Sequence, residues 1–296
     1  MKYEIDLKEE HIANESVAKL SHAQQDPIAK ASHGNRCSFN TSGMSIHSTN
    51  PLNWMPADLS NKPAPNQNYN LPFDRERSSI PKGDGNGNWE YPSPQQMYNA
   101  LRRKGFDDTQ KDAVEPMVAV HNFLNEGAWA EILEWERRFG NGVAGGWAKS
   151  MRGEAGTVHH AASEEIWDES QAPVPQLARF MGRPGEMTPK ARMMKAAAWA
   201  FPNTFSSEPP FDRHDWFVRR ISPDGATKEV RYVIDYYSGP PEDDGMPVFF
   251  LDVRPAVDTP SAAAARMIRW GGDIWYRGSG GEARERMREM GRDRDS

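Results

Sequence analysis

One cysteine, Cys37, in a chain of 296 residues excludes an intramolecular disulfide and any thiolate metal cluster within the chain. A long apolar run is missing as well. The longest apolar-leaning stretch, around Met193 to Pro202, is interrupted by Lys195 and falls well short of the roughly 20 residues a membrane-spanning helix needs. Basic residues are not in excess: 36 Lys and Arg stand against 42 Asp and Glu, a formal charge of −6. That balance argues against a generic binder of nucleic acid or of an anionic membrane, because both need a basic excess to replace counterions. The acidic start, Met1 to Glu10, has neither the apolar core of a secretory signal nor the Arg-rich pattern of a matrix presequence, so neither is expected. No Gly-x-Ser-x-Gly, Walker or His-Glu-x-x-His pattern occurs.

What is present is loop-forming and aromatic. The 24 glycines and 23 prolines exceed the average combined usage of about 12%, while 10 Trp, 8 Tyr and 12 Phe supply large apolar surfaces for a core. Residues 1–70, rich in Ser, Asn, His and Pro, read as a flexible N-terminal arm. Residues 71–278 read as one folded domain, with 140–175 as a loop insertion, and 279–296 as a charged tail.

Within the domain, Ser93-Pro94, then Met97 and Leu101, then Gly105, predict a short capped helix. Thr109 with Asp112 resembles a capping box that opens a second helix through Val114, Val118, His121 and Leu124, with Pro116 kinking its start. Asn125-Glu126-Gly127 reads as a break before a third helix carrying Trp129, Ile132, Leu133 and Phe139 and stopping at Gly140. Thr188-Pro189 caps another helix reaching Trp199. Val230, Tyr232, Ile234 and Tyr236 then alternate with their neighbours, and Val248 to Arg254 is a second β-like run. A Gly/Pro/Asp turn between the two makes an antiparallel pair, and Ser261 to Arg269 reads as a last helix. Helices before strands, without βα alternation, give an α+β class: a helical region followed by a small antiparallel sheet.

Of eight histidines, only His121 and His214 fall in patterned segments. His121 lies opposite an apolar helical face; read from pattern alone it is first a satisfied, semi-buried histidine, with an axial haem ligand as the sharper alternative. His214 sits in Phe211-Asp-Arg-His-Asp-Trp216, where flanking carboxylates could fix its tautomer and Arg213, Arg219 and Arg220 could meet anions. A surface ion-pair cluster explains the same residues. Adjacent His159 and His160 diverge and suit a loop better than a shared metal. Cys37 precedes Ser38 rather than proline and reads as an inert thiol, and Gly83, Gly85 and Gly87 before Trp89 read as a loop, not a phosphate cradle.

Taken together, the ordered blocks resemble the cytochrome c haem lyase family, the holocytochrome c synthases. Ser78-Ser-Ile-Pro81, Asn88-Trp-Glu-Tyr-Pro-Ser93 and Arg103-Lys-Gly105 are similar to the family's first block. Val120-His-Asn122, Asn125-Glu126 and Ala128-Trp-Ala-Glu-Ile-Leu-Glu-Trp-Glu136 resemble its haem-ligand block. Pro210 to Trp216, Glu229 to Tyr237 and Leu251 to Asp258 resemble its C-terminal blocks.

The resemblance implies a lyase that binds haem b as a substrate and joins it to apocytochrome c, with apocytochrome c1 as the other candidate, by thioether bonds to a Cys-x-x-Cys-His motif. It implies a peripheral place on the mitochondrial inner membrane, facing the intermembrane space. His121 would be the axial ligand of the haem iron. His214 would lie in the haem-handling region with Arg213, Asp215 and Arg220 around it. Trp89 and Tyr91 would wall the haem, and Glu126 and Trp129 would hold the helix that carries His121. A haem carrier that makes no covalent product, and a scaffold that takes up no haem, are the alternatives to this reading.

Overall fold

The computed structural model describes residues 2–3, 60–65, 67–103, 105–106, 109–151, 173–183, 186–201, 208–221, 225–241 and 248–278. In chain order the elements are β1 (Lys2–Tyr3), β2 (Arg77–Pro81), β3 (Asn88–Glu90), α1 (Pro94–Arg103), α2 (Lys111–Phe139), α3 (Val143–Met151), β4 (Gln176–Gly182), α4 (Pro189–Ala200), β5 (Asp212–Ile221), β6 (Thr227–Ser238), β7 (Phe249–Pro255) and α5 (Pro260–Gly278). The fold is α+β, as the order of patterns predicts.

Five strands form one antiparallel sheet in the order β1-β7-β6-β5-β4, and β2 with β3 makes a separate hairpin. Period-2 alternation sorts the sheet's side chains to two faces. One face presents Trp216, Val218, Tyr232, Ile234, Tyr236, Leu251 and Val253 to Leu124, Ala128, Trp129, Ile132 and Leu133 of α2, forming the main core. The Trp135 indole N–H donates to the Val253 carbonyl at 2.8 Å and fixes the helix on the sheet. The other face carries Asp215, Asp235, Asp252 and Arg254, with α4 beside them.

The α2 helix corrects the expectation of two helices: it runs unbroken for 29 residues through Asn125-Glu126-Gly127. A glycine inside a helix costs only about 1 kcal/mol relative to alanine, and the buried Leu124, Ala128 and Trp129 on either side outweigh that. The Thr109–Asp112 capping box is not made. Gln110 is the N-cap without a side-chain bond, and the Thr109 hydroxyl instead donates to the Phe106 carbonyl at 3.2 Å.

At α1 the local chemistry matches the sequence reading. Ser93 N–H donates to Gln96 Oε1 at 3.0 Å and Gln96 N–H returns to Ser93 Oγ at 3.3 Å, a reciprocal cap. Gly105, at φ 89°, turns the chain after it, a conformation that costs glycine nothing. Within the stretch read as an arm, two pieces are structured. Lys2–Tyr3 pairs with β7 at the sheet edge, and residues 60–65 and 67–70 lie beside α1, where Gln67 and Gln95 exchange side-chain bonds at 2.8 and 2.9 Å.

Several elements have no counterpart in the sequence reading, among them β1, the β2–β3 hairpin, α3 and β4. Val143–Met151, inside the expected loop insertion, is helical. The strand Gln176–Gly182 follows Pro175 directly and has no strict alternation to announce it. His159, His160, Cys37 and the 279–296 tail lie outside the described residues.

Candidate functional site

His121 sits on the exposed side of α2, while Val118, Val120, Asn122 and Leu124 around it are buried. The expectation of a semi-buried histidine is therefore corrected in favour of an outward-facing ring. Its Nδ1 lies 2.8 Å from the Met117 carbonyl one helical turn back. A carbonyl only accepts, so the neutral ring carries its proton on Nδ1 and its lone pair on Nε2. That tautomer leaves Nε2 as the nitrogen by which the ring can ligate a metal, its Nδ1–H held by a backbone carbonyl.

The helix bearing His121 is tied down by Glu126. Its carboxylate accepts the hydroxyls of Ser78 and Tyr91, both at 2.7 Å, and the Ser79 N–H at 3.1 Å. The Ser79 hydroxyl reaches the second carboxylate oxygen at 2.5 Å. All four donors belong to the β2–β3 hairpin or the residue just after it. Burial pushes the Tyr91 hydroxyl well above its ordinary pKa, so it remains a donor. Glycines shape this hairpin: Gly85 and Gly87 take φ near +77° and +75°, and a Cβ on Gly83 would sit 2.5 Å from the Ala178 backbone. The Gly83-to-Gly87 stretch is thus a hairpin turn, consistent with its reading as a loop.

Trp89, on the same hairpin, is half-buried. Its indole donates to the Leu177 carbonyl at 3.2 Å and its ring meets Phe180 edge-on at 5.8 Å, with Trp216 next at 6.5 Å from Phe180. Trp129 lies wholly inside the core, 1% exposed.

His214 lies on β5, on the face shared with Trp216 and Tyr236. Its cross-strand neighbours are Ile234 on β6 and Gly182 on β4, and its side chain is 25% exposed. Nε2 is 3.2 Å from Asp212 Oδ2, and Nδ1 is 3.5 Å from the Tyr236 hydroxyl, whose ring meets the imidazole edge-on at 5.2 Å. With Nε2–H donating to the carboxylate, Nδ1 is left to accept from Tyr236. Burial, reinforced by the Asp212 charge, raises the Tyr236 pKa and keeps its proton in place.

The strand separates the residues expected around His214. Arg213 and Asp215 point to the opposite face, where Asp215, fully buried, is surrounded by Arg183 and Arg213 at 3.1 Å and Arg231 at 2.7 Å. Asp212 alone of the flanking carboxylates reaches the imidazole. Arg220 shares His214's face but lies six residues away, about 20 Å along the strand. There Arg220 Nε reaches Glu136 at 2.5 Å and the Tyr232 hydroxyl donates to Glu136 at 2.6 Å. Burial would lower the Arg220 pKa, but the Glu136 bond and charge more than offset it. Glu136 and Tyr236 were not singled out from sequence. Strand register, which no single-strand pattern contains, is what brings Tyr236 to His214.

Beside α2 lies an open groove of about 390 Å³ lined by residues including Glu76, Pro94, Val118, Ala119 and Asn122. Asn122 donates to Glu76 across its floor at 2.6 Å; His121 is not among the lining residues. Among the described residues no cluster of three or more His, Cys, Asp or Glu could hold a metal ion, and no helix is long and apolar enough to cross a membrane.

Fold and site together define an α+β protein with one outward imidazole set on a braced helix. With no metal-holding cluster beside it among the described residues, a single imidazole suits an iron whose equatorial positions are already filled, as in haem, more than a bare ion that needs several protein ligands. A family model described as "Cytochrome c/c1 heme lyase" matches residues 2–270, and the chain belongs to this family of lyases. It is 47% identical over 231 residues to the holocytochrome-c synthase of Saccharomyces cerevisiae, a match covering 75% of each chain. It is 37% identical over 227 residues to the holocytochrome c-type synthase of Homo sapiens, covering 74% of this chain and 68% of that one. The Bos taurus holocytochrome c-type synthase is 38% identical over 227 residues, covering 74% and 66%. No solved structure matches the chain.

Proposed function

We propose that this chain is a holocytochrome c synthase that ligates haem b through His121 Nε2 and attaches it to apocytochrome c, with apocytochrome c1 the less favoured substrate. The observation that carries the reading is the His121–Met117 bond, which makes Nε2 the basic nitrogen of an exposed ring on a helix braced by Glu126. Iron supplies the docking point when haem is bound. Everything else is positioning by the two polypeptides.

His121 takes one axial position and leaves the other for the histidine of a Cys-x-x-Cys-His motif in the substrate. That second bond sets both substrate thiols beside the vinyl groups. Each thiol then adds across a vinyl double bond: sulfur bonds to one carbon, the thiol proton ends on the other, and no oxidant or reductant is consumed. Such a step gains most from holding sulfur and carbon in reach. Trp89 walls the haem site, and His214, kept in one tautomer by Asp212, acts in handling the haem. Tyr91, Glu126 and Trp129 act through the helix, while Arg213, Asp215 and Arg220 keep the sheet in shape. The acidic chain, at −6, attracts a basic apocytochrome. The reading places the protein peripherally on the mitochondrial inner membrane, facing the intermembrane space.

The test is coexpression with apocytochrome c in a bacterial host without its own maturation system. The denatured product should stain for covalent haem; bound haem without any covalent product would reduce the protein to a carrier.

A further inference from the structure

The α4 helix carries features that the haem site does not use. Its start is tied to the outer face of the sheet by the Thr188 hydroxyl, which donates to Asp235 at 2.8 Å and caps the helix by accepting the Ala191 N–H at 3.1 Å, and Ala191 and Ala198, seven residues apart, are buried. Its other side is exposed and apolar in large part: Trp199 is 88% exposed, Met193 66%, and Phe201, just past the helix, 62%. The only charged residues of α4 are Lys190, Arg192 and Lys195, all basic, in a chain whose net charge is negative. Lys190 is paired with Asp252 at 2.7 Å. Among the described residues, no carboxylate lies within salt-bridge distance of Arg192 or Lys195.

We infer that the outer side of α4, with Phe201, is a docking surface for an anionic lipid bilayer. A bulky indole, methionines and a phenylalanine beside cations that meet no carboxylate among the described residues are what an interfacial helix needs: apolar groups to enter the acyl boundary and basic groups to meet lipid phosphates. The charge chooses between occupants. A basic apocytochrome is repelled by Arg192 and Lys195, whereas an anionic headgroup layer is attracted. The exposed stripe of α5, with Met267, Trp270 and Ile274, is apolar too. Its neighbouring arginines turn inward instead, Arg266 to the Pro255 carbonyl at 2.6 Å and Arg269 to Glu131 at 3.2 Å, and so offer nothing to a headgroup. Docking by α4 leaves the opposite sheet face, with α2 and His121, turned to the aqueous side.

This inference rests on the peripheral-membrane part of the proposed function, and its test is separate from haem chemistry. The full chain is mixed with phosphatidylcholine vesicles, with and without phosphatidylglycerol, and the bound fraction is measured by flotation. Wild-type protein should float with the anionic vesicles and much less with the neutral ones. Arg192→Glu with Lys195→Glu should weaken binding about tenfold or more, and Trp199→Ser with Phe201→Ser by a similar factor. Both pairs lie outside the core, so far-UV circular dichroism and haem attachment in vesicle-free solution should match wild type. Trp270→Ser on α5 should float as wild type does. Equal binding to neutral and anionic vesicles, unchanged binding after the charge reversal, or a loss confined to Trp270→Ser would each overturn the inference.

Discussion

The Glu126 carboxylate lies 2.7 Å from the Tyr91 hydroxyl, and through that contact the β2–β3 hairpin is joined to α2 within two turns of His121. Three more hydrogen bonds from Ser78 and Ser79 converge on the same carboxylate. Charge-assisted bonds of this kind are the strong ones, and removing the acceptor strands every donor at once.

Glu126→Ala is therefore expected to destabilise the protein by about 3 kcal/mol, and Tyr91→Phe, which removes one donor, by about 1 kcal/mol. Urea titrations of both variants measure this. If Glu126→Ala shifts stability by less than about 0.5 kcal/mol, the size of an ordinary surface change, the hairpin is not held in this way.

Glu136 is buried where α2 meets the sheet, and Arg220 and the Tyr232 hydroxyl both bind it. Removing Arg220 leaves the carboxylate buried without its cation. Arg220→Ala should cost about 3–5 kcal/mol, and Tyr232→Phe about 1–2 kcal/mol. A double-mutant cycle on Glu136 and Arg220 reads their coupling directly. Additive effects would show that the pair is not a unit.

On the outer face, Asp252 binds Arg254 at 2.6 Å and Lys190 at 2.7 Å. Burial opposes its charge, but these two cations outweigh it and hold the carboxyl below its ordinary 3.8. With the folded pKa below the unfolded one, the stabilisation is complete about a unit above 3.8 and is lost as pH falls towards and through the folded value. Stability should thus fall between about pH 5 and about pH 3, and Asp252→Asn should flatten part of that decline. Denaturation midpoints at the two pH values decide it; parallel declines in both proteins would remove Asp252 from the account.

Much of the local structure was legible because it is written in adjacent residues. The Ser93-Pro94 helix start, the Thr188-Pro189 helix start and the alternation of Val230 to Tyr236 all became the elements they predict. The false break at Gly127 shows the limit of such signals: a glycine weakens a helix locally, while Leu124, Trp129 and Ile132 continue it through tertiary burial. At the site, His121 and His214 were picked out as residues, but their surroundings were not. That Asp212 reaches His214 while Asp215 turns away follows from strand periodicity. That Tyr236 lies opposite depends on the register between β5 and β6, a long-range fact. The cation shell of Asp215 draws on β5, β6 and the residue after β4, so no window of the sequence contains it.

The central claim is that His121 Nε2 ligates the haem iron, and the most direct measurement is the absorption spectrum of the haem-loaded protein before and after His121→Gly, with imidazole added back. The account predicts a histidine-ligated spectrum in wild type, its loss in the variant, and its return on adding imidazole, which can occupy the vacated space and supply the missing nitrogen. An unchanged spectrum in the variant would contradict the claim.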